Sequence, residues 1–224
     1  MLKVEHITTG YGKKQVLTDV SFEVSKSDIV LLSGGNGSGK STVLKIIYGL
    51  LKPWTMEGKI FFEECNITAL PISTMIRRGI VYMPQKKNVF EDFTVEENLL
   101  TSASIYTTAN AKERIKSVYE MLPLLTTLGK RTPFHLSGGE KQILAFGNML
   151  IHLPKLVLLD EPFAGVDVTN SEILKNCIYD LHKNSVTFII VEHKRQLMDD
   201  IVNKEIEIEL GTVCNRTRTG ATHG

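Results

Sequence analysis

A glycine-rich segment at residues 34–42, Gly-Gly-Asn-Gly-Ser-Gly-Lys-Ser-Thr, has the composition and spacing of a loop that holds a phosphate chain. It fits the pattern G-x-x-x-x-G-K-[ST], with Gly34, Gly39, Lys40 and Ser41 in the fixed places. The glycines let the backbone approach phosphate oxygens, and the loop amides point at the anion. Lys40 is expected to reach the terminal phosphates and the Ser41 hydroxyl to bind Mg²⁺. The motif predicts a site for a nucleoside triphosphate.

The flanking residues place this P-loop between a strand and a helix. Residues 28–33 form a short apolar run that is typical of a buried strand, and residues 42–48 carry apolar side chains at helical spacing. We therefore expect the P-loop to bind the nucleotide, and assign that binding to Gly34, Gly35, Asn36, Gly37, Ser38, Gly39, Lys40, Ser41 and Thr42.

A second candidate element is the apolar stretch at residues 155–160, which ends in Asp160 and is followed by Glu161. An aspartate at the end of such a strand is the usual companion of a P-loop and holds Mg²⁺ directly or through water. Glu161 would lie at the carboxyl edge of a parallel sheet, where ligands bind, and could orient or deprotonate an attacking water. The alternative is a strand-ending turn with two solvated acids, and the preceding P-loop favours the metal site.

Length, charge and cysteine content limit the class of protein. The 224 residues suffice for one α/β domain, or for one large and one small lobe. A net charge of +1 gives no reason to expect nucleic acid or an anionic membrane as a partner. The three cysteines show no C-x-x-C pattern and fit a reducing compartment. No signal peptide and no apolar run near the ~20 residues of a membrane span is expected, so a partner would have to hold the chain at a membrane.

Periodicity predicts elements that alternate between strands and helices. Residues 91–136 are predicted as a small helical lobe with a capping box at Thr94 and Glu97, Ser137 as a helix N-cap, and residues 9–14 as a loop. Residues 213–224 are predicted as a flexible tail. Strands are expected at residues 3–7, 20–24, 28–33, 58–62, 79–83, 155–160, 186–191 and, as an edge or terminal strand, 205–210; helices are expected at 42–48, from 94, around 115–122, from 137 and at 170–183.

Residues 136–142, Leu-Ser-Gly-Gly-Glu-Lys-Gln, resemble the signature sequence of ATP-binding cassette (ABC) ATPases. The family's other motifs follow in order: Tyr11 matches the aromatic A-loop residue, Gln85 the Q-loop glutamine, Asp167 the D-loop aspartate and His193 the switch histidine. The resemblance covers about residues 2–212. The sequences of the motifs are most similar to those of the ATPase subunits of branched-chain amino acid importers and lipopolysaccharide exporters.

The resemblance implies an α/β fold, namely a P-loop NTPase core of the RecA-like type with an N-terminal antiparallel β subdomain and an inserted helical subdomain. The domain would span residues 1–212. It also implies ATP and Mg²⁺ as ligands, with Tyr11 stacking on the adenine and Val16 beside the nucleotide. The metal would be held by Ser41, Gln85 and Asp160. The catalytic residues would be Glu161, His193 and Gln85.

In this family, Ser137, Gly138 and Gly139 would cover the γ-phosphate bound to the P-loop of a second subunit, with Asp167 acting across the same interface. The implied partners are a head-to-tail copy of this chain or a second ABC ATPase, together with integral membrane permease subunits on whose cytoplasmic face the chain would sit. No nucleic acid partner is expected. The alternative is a soluble ABC ATPase without transport, such as an iron–sulfur assembly scaffold or a division-complex regulator. Gly147 and Asn148 replace part of a common Ala-Arg-Ala run and are expected to weaken their helix.

Overall fold

The computed structural model describes residues 1–86, 88–193 and 195–214. Short 3-10 helices lie at Pro133–His135 and Arg195–Leu197. The remaining elements, in chain order, are β1 (Leu2–Tyr11), β2 (Lys14–Val24), β3 (Ile29–Ser33), α1 (Lys40–Ile47), β4 (Lys59–Phe62), β5 (Cys65–Asn66), α2 (Ile72–Arg77), β6 (Ile80–Met83), α3 (Val95–Ala103), α4 (Thr108–Met121), α5 (Leu124–Leu128), α6 (Gly138–Leu150), β7 (Leu156–Asp160), α7 (Val168–Lys183), β8 (Thr187–Val191), β9 (Lys204–Glu209) and β10 (Thr212–Cys214).

The larger sheet has the strand order β10-β9-β3-β8-β7-β6 and is parallel except for β10. Its central strands are buried on both faces. In β7, Leu156 and Leu158 pack into one hydrophobic core, whereas Val157 and Leu159 pack into the other. Burial on both faces explains why β7 reads as an uninterrupted apolar run and not as an alternating one.

The parallel arrangement brings four predicted segments to one edge. β3 ends just before the P-loop, β6 just before Pro84 and Gln85, β7 at Asp160, and β8 just before Glu192 and His193. Because parallel strands have their carboxyl ends on the same edge, these segments meet although they are far apart in sequence.

The smaller sheet, with the order β2-β1-β4-β5, is antiparallel and shares a core with α1 and one face of the larger sheet. The predicted α/β fold with an N-terminal antiparallel sheet is thus confirmed. The prediction of a loop at residues 9–14 was wrong, since β1 continues to Tyr11 and β2 starts at Lys14. Gly10 makes this close pairing feasible, because a Cβ there would lie 2.0 Å from the Lys14 carbonyl oxygen.

The helical lobe contains α3, α4 and α5. The capping box predicted at Thr94 and Glu97 is confirmed, and Ser137, predicted as an N-cap, caps α6 and forms a second capping box with Glu140. α6 runs without a break, although Gly147 lowers its intrinsic helix propensity. A Cβ on Gly147 would lie 2.7 Å from Leu125 Cδ1, so the glycine permits the close packing of α5 on α6.

Two predictions for residues 205–214 differ from the structure. The strand predicted at residues 205–210 is not at the edge of the sheet, because β10 pairs with β9 on its outer side. The predicted tail at 213 starts too early, because Val213 and Cys214 belong to β10, and residues 215–224 lie outside the described residues. In the part of the chain that the structure describes, no helix has the length and apolarity of a membrane span.

Candidate functional site

The P-loop joins the end of β3 to the start of α1. Its backbone requires glycine, because Gly34, Gly37 and Gly39 have φ angles of 135°, 75° and 109°. A Cβ at Gly34 would also lie 2.0 Å from the Ile208 carbonyl oxygen of β9. The glycines therefore fix the curvature of the loop and its contact with the sheet.

The Lys40 ammonium lies inside the curve of this loop. Its Nζ donates hydrogen bonds to the carbonyl oxygens of Gly34 at 2.9 Å and Gly35 at 2.8 Å. Burial lowers the pKa of Lys40, and the negative charges of Glu161 and Asp160 oppose that shift. The side chain is thus held at the position where the motif predicts phosphate.

Asp160 connects the P-loop to the end of β7. The Ser41 hydroxyl donates to Asp160 Oδ1 at 2.8 Å, and the Tyr82 hydroxyl donates to Asp160 Oδ2 at 3.2 Å. Burial raises the pKa of Asp160, and the two donated hydrogen bonds counteract the rise. Sequence reasoning missed Tyr82, which appeared only as one residue of a predicted strand.

Glu161 occupies a strained position directly after Asp160. Its φ angle is 52°, in the left-handed region that a non-glycine residue adopts at an energetic cost, often at a functional site. Its backbone amide donates to the Val191 carbonyl oxygen at 2.8 Å. The carboxylate accepts a hydrogen bond from Gln85 Nε2 and lies 3.2 Å from His193 Nε2. The structure therefore brings together the three residues predicted as catalytic.

Glu192 is a further residue that sequence reasoning did not single out. Its side chain is 7% exposed, and its carboxylate accepts hydrogen bonds from the backbone amides of His193 at 2.8 Å and Phe163 at 3.3 Å. This carboxylate joins the segment that follows Glu161 to the segment that carries His193. A glutamate before a histidine in the sequence does not by itself indicate a functional role, and only the fold shows which groups Glu192 contacts.

A cleft of about 860 Å³ lies over the P-loop. Tyr11 and Val16 form one wall, with the Tyr11 hydroxyl 3.5 Å from Thr42 Oγ1 and 3.3 Å from Lys45 Nζ. Of the lining residues, Lys14 and Val191 were not predicted. The predicted residues in the lining are Tyr11, Val16, Asn36, Gly37, Gly39, Lys40, Ser41, Thr42, Glu161 and His193.

The polar groups of the cleft fit a Mg²⁺–nucleotide. The Ser38 hydroxyl oxygen in the P-loop is buried and has no hydrogen-bond partner among the described residues, so its hydrogen-bonding capacity is unused there. The Ser41 hydroxyl and Asp160 carboxylate are oxygen ligands of the kind that Mg²⁺ prefers. The Gln85 amide nitrogen is directed at Glu161, which leaves the amide oxygen as its group for a metal.

The signature residues form a second cluster, outside the lining of this cleft. A Cβ at Gly138 would lie 2.9 Å from the Gly165 carbonyl oxygen, and one at Gly139 would lie 2.8 Å from Asp167 Oδ2. Asp167 caps α7 by accepting a hydrogen bond from the Asn170 amide at 3.0 Å. The residues predicted as signature and as D-loop aspartate therefore lie together in one patch, defined here as Ser137, Gly138, Gly139 and Asp167, of which Gly139 is buried and the other three are exposed.

Both the sequence and the fold of this chain are similar to those of known proteins. Residues 17–164 match the family model described as ABC transporter. A branched-chain amino acid transport ATP-binding protein of Pseudomonas aeruginosa is 35% identical, covering 95% of this chain and 91% of its own. A lipopolysaccharide export ATP-binding protein of Haemophilus influenzae is 31% identical, covering 95% of this chain and 88% of its own. The crystal structure of a nucleotide-free ATP-binding cassette from an ABC transporter superposes with a TM-score of 0.87 at 29% identity, covering 99% of this chain and 92% of that one. This chain therefore belongs to the ABC transporter family, among its ATP-binding proteins.

Proposed function

We propose that this chain hydrolyses ATP to ADP and phosphate in the cleft, and that hydrolysis drives a substrate through partner membrane subunits. The observation that carries the proposal is the placement of Glu161, whose carboxylate is held by Gln85 and His193 at the edge of the cleft that contains Lys40. The names of the relatives favour transport over a soluble role without transport.

The residues at and next to the cleft have distinct tasks in this proposal. The P-loop amides and Lys40 hold the phosphates, and Ser41 and Asp160 would hold Mg²⁺, which would neutralise charge on the phosphate oxygens. Glu161 orients an attacking water and accepts its proton, and His193 donates a hydrogen bond to the γ-phosphate. Catalysis by this arrangement is mainly positioning and charge stabilisation.

The patch of Ser137, Gly138, Gly139 and Asp167 supports a composite site between two chains. Ser137 and the following glycines begin α6, so backbone amides and the positive end of the helix dipole are presented at this patch. Because the patch does not line the cleft of its own chain, we place it over the γ-phosphate of a head-to-tail partner, a second copy or another ABC ATPase.

The groove between the helical lobe and the larger sheet is the surface that we assign to the permease. It has a volume of about 170 Å³, and Pro84, next to Gln85, is one of its lining residues. Asn88 Nδ2 donates to Gln142 Oε1 at 2.8 Å, which joins this segment to α6. A permease segment in this groove would contact the loop that carries Gln85, with the chain peripheral on the cytoplasmic face of the membrane.

Replacing Lys40 with alanine tests the nucleotide site. We expect ATP affinity to fall by about 10- to 100-fold, because a charge-assisted contact to phosphate is lost. Alanine is a strong helix former at the start of α1, so the protein should remain folded. The measurements are binding of a fluorescent ATP analogue and circular dichroism. Lys26→Ala, at an exposed position outside the cleft, is the control. A folded Lys40→Ala protein with the affinity of the control would refute the site.

Replacing Tyr11 with alanine tests adenine stacking. The loss should cost about 1–3 kcal/mol of binding free energy, by analogy with base–aromatic stacking. Tyr11→Phe is the matched control and should bind ATP nearly as well as the native protein, because the hydroxyl makes only long contacts, at 3.3 and 3.5 Å. ATP and GTP should bind with similar affinity. Stacking on Tyr11 is excluded if the alanine and phenylalanine variants bind ATP equally.

A further inference from the structure

Tyr82 of β6 contacts the aspartate that we assign to Mg²⁺, although it belongs to none of the motifs. β6 pairs in parallel with β7, and Tyr82 is in register with Leu158, two residues before Asp160. The side chain extends to the carboxyl edge of the sheet, where its hydroxyl donates to Asp160 Oδ2 at 3.2 Å. Tyr82 does not line the nucleotide cleft, so it is not placed to touch the nucleotide itself.

The Asp160 carboxylate receives one hydroxyl on each oxygen. Ser41 donates to Oδ1 and Tyr82 to Oδ2, and the aspartate side chain is only 6% exposed. Two donors on opposite oxygens fix the rotation of the carboxylate plane. Without the Tyr82 hydroxyl, Asp160 Oδ2 would lose its hydrogen-bond donor, and the carboxylate plane would be held only by Ser41. Ser41 is itself an expected metal ligand.

We propose that Tyr82 is a positioning residue that orients Asp160 for Mg²⁺ through the hydrogen bond to Oδ2. The proposal rests on the proposed function, because it assumes that Asp160 and Ser41 hold the metal. Groups that hydrogen-bond to metal ligands set ligand orientation, and their loss typically costs 10- to 100-fold in metal affinity or activity. The same short strand leads directly into Pro84 and Gln85, so β6 positions both the aspartate and the Q-loop glutamine.

Tyr48 provides a matched control. It follows α1, its ring centroid lies 5.6 Å from that of Tyr82, and both tyrosines line the groove assigned to the permease, which takes no part in the binding test below. Within the described ranges its hydroxyl has no hydrogen-bond partner, whereas the Tyr82 hydroxyl has Asp160. Tyr82→Phe and Tyr48→Phe each remove one hydroxyl from the same aromatic pair, but only Tyr82→Phe removes a bond to Asp160.

The test measures equilibrium binding of AMP-PNP, a non-hydrolysable ATP analogue, to the whole chain in saturating Mg²⁺ and in EDTA. We expect Tyr82→Phe to reduce the ratio of the two affinities about 10-fold and to leave the affinity in EDTA unchanged. The Mg²⁺ concentration for half-maximal ATP hydrolysis should rise by a similar factor, and Tyr48→Phe should alter neither quantity.

A purely structural role of Tyr82 would change thermal stability or the affinity in EDTA, but not the Mg²⁺-specific ratio. An unchanged ratio in Tyr82→Phe, or an equal fall in both variants, would overturn the proposal. A native protein that binds AMP-PNP equally with and without Mg²⁺ would contradict the proposed metal site itself, so the two failures are distinguishable.

Discussion

Replacing Glu161 with glutamine should leave ATP bound but lower steady-state hydrolysis by about 100-fold or more, the scale of a positioned general base. Glutamine has nearly the shape of glutamate, so the substitution removes the negative charge at residue 161 without opening a cavity beside Gln85 and His193. Lys40 and Ser41 remain in place to bind the phosphates. The variant should therefore accumulate with ATP bound and hydrolyse it slowly.

The measurement is phosphate release at saturating ATP together with ATP affinity. Glu113→Gln is the matched control, since Glu113 is exposed on α4 and remote from the cleft lining. The assignment of Glu161 fails if its variant turns over at the rate of the control. A loss of ATP affinity equal to the loss of turnover would assign Glu161 to binding and not to the chemical step.

The segments that carry the site could be predicted because their local patterns match their burial. β7 is buried on both faces and therefore reads as an apolar run ending in Asp160. Ser137 begins α6 with a glutamate three residues later, which is the pattern of a capping box. In such segments the local residues alone specify the element, and the order of the motifs along the chain supplied the family.

The contacts within the site could not be predicted, because they depend on the parallel pairing of distant strands. Tyr82 and Asp160 are 78 positions apart, and only the register of β6 on β7 brings them together. The left-handed backbone of Glu161 has no signature in its residue type. The prediction of a loop at residues 9–14 was wrong because the turn-forming residues there belong to a tight hairpin of β1 and β2, in which Gly10 permits close strand pairing.

Replacing Ser137 with aspartate should abolish ATP-dependent dimerisation while leaving α6 and the chain's own nucleotide site intact. Ser137 caps α6 by accepting a hydrogen bond from the Glu140 amide at 3.2 Å, and aspartate caps a helix as well as serine does. The new carboxylate would face the γ-phosphate of the partner chain only when the dimer closes. Juxtaposed like charges cost several kcal/mol, so dimer formation should weaken by about 100-fold or more.

Ser137→Asn separates charge from shape in this experiment, because asparagine is also a good N-cap and has almost the size of aspartate. Both substitutions are made in the Glu161→Gln background, so that ATP is not consumed, and dimerisation is followed by light scattering over a range of protein concentrations. The asparagine variant should dimerise on addition of ATP, and the aspartate variant should stay monomeric. Both should bind ATP as monomers with the parent's affinity, because Ser137 does not line the cleft of its own chain.

If the aspartate and asparagine variants dimerise alike, Ser137 does not face a partner's phosphate and the composite site is wrong. If the aspartate variant instead loses ATP binding as a monomer, the signature contributes to the site of its own chain, which the separation of the two clusters in the structure argues against.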